Sequence, residues 1–278
     1  MDTRQVVPVR VMTPGIRLLL IAASILVFWA GVPLFLGSEQ TDSYFSWTIQ
    51  PPLTAAFIGA MYWSSLILVG LALRRETWGD ARIGVFSILV VTTLILVATL
   101  LHLDRFHLAS PGLLTRLVTW VWLAVYVGIP PISVLLVVDQ LRRSGHDTER
   151  SVRLPRWMVI TYQLFAVLLV LVGIALFVFP LSVTEVWPWM LTALTAQVTG
   201  AWITGLGMNA GLVAWENDRE RVQPVVLSSI VLVGLQGIAL VRFGTAVDWQ
   251  NPASWLYLMV LLSLLIVGVP ALAGSRHH

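Results

Sequence analysis

Long apolar runs dominate the chain and recur at short intervals. Eight such runs occupy residues 17–36, 52–73, 83–103, 116–138, 157–179, 190–214, 223–243 and 254–273. Each is close to the ~20 residues that a helix needs to cross the hydrocarbon core of a bilayer. The runs are apolar all round, as in FSILVVTTLILVATLL, whereas the strands of a membrane barrel alternate in polarity. The pattern therefore predicts an all-α, polytopic transmembrane helix bundle with eight spans.

The composition supports this fold class. Hydrophobic residues make up 58% of the chain and charged residues only 11%, whereas a soluble domain carries roughly 25% charged residues. The eight runs take up most of the 278 residues, so we expect no separate soluble domain. Because the chain has no cysteine, disulfides, thiolate metal ligands and cysteine nucleophiles are excluded.

The arginines predict the orientation of the helices, since all 17 basic residues are arginine. With a cytoplasmic N-terminus, only Arg105, Arg116 and Arg242 fall outside. The others fall inside: Arg4, Arg10, Arg17, Arg74, Arg75, Arg82, Arg142, Arg143, Arg150, Arg153, Arg156, Arg219, Arg221 and Arg276. Basic residues are enriched in cytoplasmic loops of membrane proteins. We therefore predict that both termini are cytoplasmic, in a bacterial cytoplasmic membrane. The basic excess then reflects contact with lipid headgroups, and no nucleic-acid partner is expected.

Short matches occur in the same order in the two halves of the chain. LTAAFIGA at 53–60 matches LTAQVTGA at 194–201, LHLDRFH at 101–107 aligns with IALVRFG at 238–244, and VGIP at 127–130 resembles VGVP at 267–270. The order of these matches indicates an internal duplication. Chance similarity between apolar helices is the alternative interpretation.

A duplication would divide the chain into two membrane repeats. The first four-helix repeat would span residues 1–141, a basic cytoplasmic linker residues 142–156, and the second four-helix repeat residues 157–278. An even number of helices in each copy leaves both copies in the same orientation. We therefore predict a parallel repeat, with a pseudo-twofold axis along the membrane normal.

The second and sixth runs contain small residues spaced four apart, such as Ala56, Ala60 and Ser64, or Gly200 and Thr204. Small residues let helices approach closely in lipid, where packing replaces the hydrophobic driving force. The spacing predicts that these two helices form the core of their halves.

The second half also resembles a known family. It reads FVFPLSVTEVWPW, then LTALTAQVTGAWITGLGMNAGLVAWENDRERVQP, and then VRF. A first helix ending at proline, a second helix rich in small residues and a short charged turn make it similar to the DoxX-like group of four-helix bacterial membrane proteins. The first half resembles the group more weakly. The resemblance implies a four-helix bundle. Because the group is functionally diverse, it implies no activity and no functional residues.

The densest group of ionisable residues near the hydrocarbon is TLLHLDRFHL, at residues 99–108. His102 and His107 are five positions apart, about 140° around a helix, whereas histidine pairs on metal-binding helices are four apart. We therefore predict no metal site. His102, Asp104, Arg105, His107 and Arg242 form the candidate site at the outer face. One interpretation is an anion or headgroup site in which Arg105 and Arg242 converge across the pseudo-twofold axis. The other is an interfacial ion-pair cluster whose arginines extend to the headgroups.

Two further features bear on function. No Asp, Glu, Lys or Arg is predicted in the middle of a span, which disfavours a proton-coupled or ion-coupled carrier. The charged turns RRETWGDAR and WENDRERVQ are interpreted as solvated turns that cap helices, without a catalytic pocket.

These observations favour a non-enzymatic binding or accessory protein without a cofactor. Its partner would be a lipid-like or quinone-like ligand, or another membrane protein, at the seam between the halves, and a homo-oligomer is a further option. The first alternative is a small-molecule transporter or channel along the pseudo-twofold axis. The second is a membrane enzyme that acts on a lipid headgroup through His102, Asp104 and His107.

Overall fold

The computed structural model describes residues 8–273, and within this range the chain is helical, with no β-strand. Arg4 and Arg276 lie outside the described residues. The helices are α1 Pro14–Gly31, α2 Thr41–Tyr44, α3 Pro52–Leu73, α4 Trp78–Leu101, α5 Leu113–Arg142, α6 Arg156–Val178, α7 Pro180–Thr184, α8 Ala193–Glu216, α9 Arg219–Phe243 and α10 Pro252–Ala273. A π-helical turn, Val32–Leu36, continues α1, and 3-10 turns at Leu103–Arg105 and Gly244–Ala246 follow α4 and α9.

Several helices begin at residues that cap the free N–H groups of a first turn. Thr13 Oγ1 accepts a hydrogen bond from the N–H of Ile16, at 3.4 Å. Thr192 and Thr195 form a reciprocal capping box at the start of α8. Proline is the first residue of α3 and α10, a position where its missing N–H removes no helical hydrogen bond. Local sequence therefore determines where these helices begin.

Seven helical segments within the described range are long and apolar enough to cross a membrane. They are Pro14–Leu36, Pro52–Leu73, Trp78–Leu101, Leu113–Arg142, Arg156–Val178, Arg219–Ala246 and Pro252–Leu272. The sequence predicted eight. The segment that is not among the seven is α8, which has 24 residues. It is long enough, but Gln197, Asn209 and its many glycines and threonines make it more polar than its neighbours.

The polar helix α8 lies in the core of the bundle, between α6 and α4. Most of its residues are buried. An added Cβ at Gly200 would lie 2.6 Å from the carbonyl oxygen of Gly173, and one at Gly207 would lie 2.7 Å from the backbone nitrogen of Val170. The counterpart helix α3 is also mostly buried and packs between α1 and α9. This confirms the prediction that the two helices with small residues form the core.

The outer helices present apolar side chains to their surroundings. Exposed examples are Leu18 on α1, Leu135 on α5, Leu171 on α6 and Ile266 on α10. A soluble monomer rarely exposes apolar surface on this scale, whereas hydrocarbon solvates it well. Together with the seven long apolar helices, this exposure is typical of a multi-pass integral membrane protein.

Contacts between loops define two ends of the bundle. At one end the N–H of Met12 donates to the carbonyl oxygen of Glu76, at 2.8 Å. At the other end the N–H of His107 donates to the carbonyl oxygen of Ser46, at 2.9 Å. We call the first the arginine-rich end (residues 8–13, 74–82, 142–156 and 216–221) and the second the arginine-poor end (residues 37–51, 102–112, 179–192 and 244–251). Helix α8 runs from the arginine-poor end to the arginine-rich end, as α3 does.

Candidate functional site

His102, in the sequence-predicted site, follows the last residue of α4 and turns toward the bundle. Its Nε2–H donates to Oε1 of Gln197, at 2.9 Å. The Gln197 amide in turn donates to the carbonyl oxygen of Phe177, at 3.0 Å. His102 therefore joins α4 to α8 and, through the amide, to the end of α6.

His107 has a different set of partners. Its Nδ1–H donates to the carbonyl oxygen of Phe45, at 3.0 Å, and its Nε2 lies 3.2 Å from Oγ1 of Thr48. When the neutral ring carries its proton on Nδ1, Nε2 can accept a hydrogen bond from the threonine hydroxyl. The ring thus holds the loop that precedes α3. Among the described residues, no group of three His, Asp or Glu side chains is placed to hold a metal ion.

The two arginines of the predicted site also lie in different surroundings. Arg105 Nε pairs with Asp104 Oδ2 at 3.1 Å, and both side chains are about 70% exposed. Arg242 instead donates to the carbonyl oxygen of Phe35 and, at 3.3 Å, to Oγ of Ser38. It therefore supports the end of the π-helical turn after α1. An anion site formed by Arg105 and Arg242 together stays a prediction.

The arginine-rich end contains a buried charge network that the sequence interpretation missed. Glu216, the last residue of α8, is fully buried, and Arg82 and Arg221 are 7% and 4% exposed. The interpretation of RRETWGDAR and WENDRERVQ as solvated turns is therefore wrong for these three residues. They are buried because the first turns of α4 and α9 pack against the end of α8, under the loop 142–156.

Glu216 is the centre of this network. Arg82 donates to both carboxylate oxygens, through Nε and through Nη2, the latter at 2.8 Å. Arg221 Nη1 donates to Oε2 of Glu216, at 2.9 Å. On their outer sides, Arg82 pairs with Asp147 and Arg221 pairs with Asp80. Both arginines thus have acidic partners, as buried charges require.

The loop 142–156 covers the network and is bound to it. Thr148 accepts from Arg221 through both its carbonyl oxygen and its hydroxyl. The N–H of Leu154 donates to Oδ1 of Asn217, at 3.1 Å, and the N–H of Arg219 donates to the carbonyl oxygen of Val152, at 2.9 Å. The loop is therefore an ordered part of the fold as well as a connection between the two halves.

One signal in the sequence could have revealed this network. Arg82 and Arg221 each lie in the first turns of the helix that follows a core helix. This shared position is the only signal, because the separation of 139 positions between the two arginines differs from the offsets of 141, 137 and 140 of the matched motifs.

A cavity of about 670 Å³ lies between α1, α3, α4 and α5. We call it the first cavity. Its lining is almost wholly apolar, and Trp29, Leu117 and Val121 form an exposed rim on the lateral surface. Tyr62 and Tyr126 supply polar groups at the buried wall. The cavity therefore opens toward the region that hydrocarbon would occupy.

A smaller second cavity of about 260 Å³ lies between α6, α8, α9 and α10. Each cavity is completed from a core helix of the other half of the chain. Trp202 of α8 lines the first cavity, and Phe57 and Met61 of α3 line the second. The lining of each cavity comes mainly from one half, whereas the sequence interpretation placed the ligand at the seam between the halves.

No known protein family, curated protein or solved structure matches this chain. The resemblance to the DoxX-like group therefore stays an expectation from the sequence pattern.

Proposed function

We propose that this protein is an eight-span membrane protein that binds a lipid-like molecule in the first cavity without chemically changing it. It acts as a binding or accessory protein of a bacterial cytoplasmic membrane. The arginine-rich end faces the cytoplasm, because basic residues concentrate on that side of membrane proteins. Membrane lipids are its partners. A second membrane protein or a second copy of this chain would bind to the lipid-facing surface of the bundle.

The proposal includes α8 as the eighth span. Like α3, it runs from the arginine-poor end to the arginine-rich end, and some of its polar residues are hydrogen-bonded to other helices. Gln197, for example, is bonded to His102 and to the backbone of Phe177. A helix surrounded by other helices needs less apolarity than one that faces lipid.

The proposal also includes two parallel repeats. In each half a long helix is followed by a short helical element, a core helix, a third long helix that ends in a 3-10 turn, and a fourth long helix. Contacts between the halves are reciprocal, since α3 packs on α9 and α8 packs on α4. Reciprocal packing of this kind is what a pseudo-twofold axis produces.

The observation that carries the binding proposal is the first cavity itself. Its volume lies within the range of ~300–1,000 Å³ that small-molecule sites occupy. Its walls are apolar, and its rim lies on the lateral surface of the bundle. A molecule dissolved in the bilayer could enter between α1 and α5 without crossing water. A lipid-like ligand suits this geometry better than a polar solute does.

A transport path along the pseudo-twofold axis has less support. The core helices and their partners pack closely in the seam, and Ser228 of α9 donates its hydroxyl to the carbonyl oxygen of Ser64 of α3, at 2.7 Å. At the arginine-rich end the network around Glu216 closes the same region. A solute moving along the axis would have to separate these buried charges.

An enzyme acting through His102, Asp104 and His107 also has less support. The two histidines are bonded to separate partners, and Asp104 is exposed beside Arg105. Such an enzyme would require these groups to converge on one substrate.

The experiment uses the purified protein in lipid nanodiscs and a panel of radiolabelled amphiphiles comprising a fatty acid, methyl oleate and a phosphatidylglycerol. Ala30 lines the first cavity, so Ala30→Phe should fill it and reduce saturable binding of the bound probe at least about 10-fold. Ala22, on the same helix but outside the lining, gives the control variant Ala22→Phe, which should bind as the wild type does. Absence of saturable binding for every probe, or equal binding by Ala30→Phe, would refute the proposal.

A further inference from the structure

We infer that the first cavity holds a neutral amphiphile by a carbonyl-type oxygen, through hydrogen bonds from the Tyr62–Tyr126 pair and from Trp202. The inference rests on the proposed function, because it specifies the ligand of the same site. Its basis is an excess of buried hydrogen-bond donors on the wall of the cavity.

The first donor comes from the tyrosine pair. Tyr62 and Tyr126 line the cavity, are 3% and 5% exposed, and are hydrogen-bonded to each other through their hydroxyls. Two hydroxyls carry two protons, and the bond between them uses one. Neither hydroxyl has another hydrogen-bond partner among the described residues. Whichever tyrosine donates to the other, one O–H remains without an acceptor.

The second donor is the indole N–H of Trp202. This side chain lines the same cavity, is 7% exposed, and has its ring centroid 4.8 Å from that of Tyr62. Its Nε1 is buried and has no hydrogen-bond partner within the described part of the chain. Trp122, on the same cavity, provides a contrast, because its Nε1–H donates to Oγ1 of Thr99 at 3.1 Å.

Buried donors without acceptors are unfavourable and uncommon in folded proteins. Two of them, on neighbouring rings that face one apolar cavity, are satisfied together by a ligand that brings an acceptor oxygen. A hydrocarbon has no acceptor. An alcohol brings an acceptor together with a further donor, whereas a carbonyl oxygen brings acceptors alone.

The charges of the lining residues further restrict which ligands the cavity can bind. The described residues that line the cavity include no Asp, Glu, Arg or His. A carboxylate would therefore be buried without a counter-charge, which is costly. An ester or ketone oxygen on an apolar chain supplies acceptors without charge, and the remainder of the cavity accommodates the chain.

The test compares radiolabelled methyl oleate, a methyl ketone of similar chain length and the matching octadecene, each titrated against the wild-type protein in nanodiscs. A hydrogen bond formed in the cavity should favour the ester, the ketone or both over the octadecene by about 10-fold. Preference for the ester alone identifies a lipid ester as the source of the oxygen. Equal preference for the ketone identifies any carbonyl.

Variants of the three donor residues test whether they cause the preference for a carbonyl oxygen. Trp202→Phe should reduce the preference several-fold. The control Trp63→Phe, at a residue outside the lining whose N–H already donates to the carbonyl oxygen of Phe28 at 3.1 Å, should leave it unchanged. A single Tyr→Phe substitution at either position leaves the other tyrosine with a free O–H. Only the double variant Tyr62→Phe/Tyr126→Phe should therefore lose the part of the preference that comes from the tyrosine hydroxyls.

The outcomes separate this inference from the proposed function. If octadecene binds as tightly as the ester and the ketone, and Ala30→Phe abolishes all three, the cavity binds apolar chains and the carbonyl inference is wrong. If no probe shows binding that Ala30→Phe abolishes, the proposed function fails as well. A preference that survives in Trp202→Phe and in the double tyrosine variant would also overturn the assignment.

Discussion

The two ends of the bundle contain similar residue types in opposite environments. At the arginine-rich end, Arg82 and Glu216 are almost fully buried and share two hydrogen bonds. At the arginine-poor end, Arg105 and Asp104 are adjacent in sequence and about 70% exposed. A local ion pair can form without burying either group, because its partners need no other part of the chain. The buried pair joins residues 134 positions apart, so it exists only when the helices are packed.

This comparison predicts that the two ends contribute very differently to stability. The sharpest way to test it is to remove one charge at a time and measure the free energy of unfolding of the protein in mixed micelles.

Glu216→Gln should have the largest effect. It leaves Arg82 and Arg221 buried without the carboxylate that lies between them, and removing one partner of a buried ion pair costs about 3–5 kcal/mol. Titration with a denaturing detergent, followed by circular dichroism, would measure the loss. The matched control is Glu220→Gln, an exposed glutamate four residues further along the chain, which should change stability by less than about 0.5 kcal/mol. Equal effects of the two substitutions would show that the network does not hold the helix ends together.

Arg242→Gln should have an intermediate effect. Its guanidinium bonds to the carbonyl oxygen of Phe35 and to Ser38 across the two halves, but the residue is exposed to its surroundings. We expect a loss of about 1 kcal/mol, a typical net value for a hydrogen bond. Protease cleavage near residues 37–44 should also become faster, because the end of the π-helical turn loses its support. Arg116→Gln, an exposed arginine at the same end of the bundle, serves as the control, and an equal loss there would contradict the specific role of Arg242.

Arg105→Gln should have the smallest effect on stability. The exposed pair with Asp104 is worth between 0 and about 1 kcal/mol, because solvent and salt screen it. The same unfolding titration at low and high salt should give curves that almost coincide for the variant and the wild type. A loss as large as that of Glu216→Gln would mean that Arg105 has a buried partner, and would restore the predicted outer-face ion cluster.

Much of the helical architecture could be predicted from the sequence, because it depends on local patterns. Long apolar runs predicted the helices, and the starts of α3 and α10 coincide with prolines. The small residues of α3 and α8 correctly predicted close packing. The eighth span stays a prediction, because α8 is more polar than the seven segments that are apolar enough to cross a membrane.

The candidate site was harder to predict, for a physical reason. His102 and His107 belong to one short motif, yet one bonds to Gln197 in the other half of the chain and the other to the loop before α3. Likewise, Arg82 belongs to a turn whose charge pattern is typical of solvated loops. Whether a side chain is buried, and which partner it has, depends on residues far away in sequence.

By itself, the sequence determined the fold class, the helices and the concentration of arginines at one end of the bundle, because each follows from apolarity, helix capping and charge within a short stretch. Only the tertiary structure decided which charges are buried, which partners they have, and where a cavity remains. The first cavity is lined by α1, α3, α4 and α5, with Tyr62 and Tyr126 at its buried wall, and Trp202 completes it from the other half of the chain. Such a space arises from how distant helices pack, which no local pattern specifies.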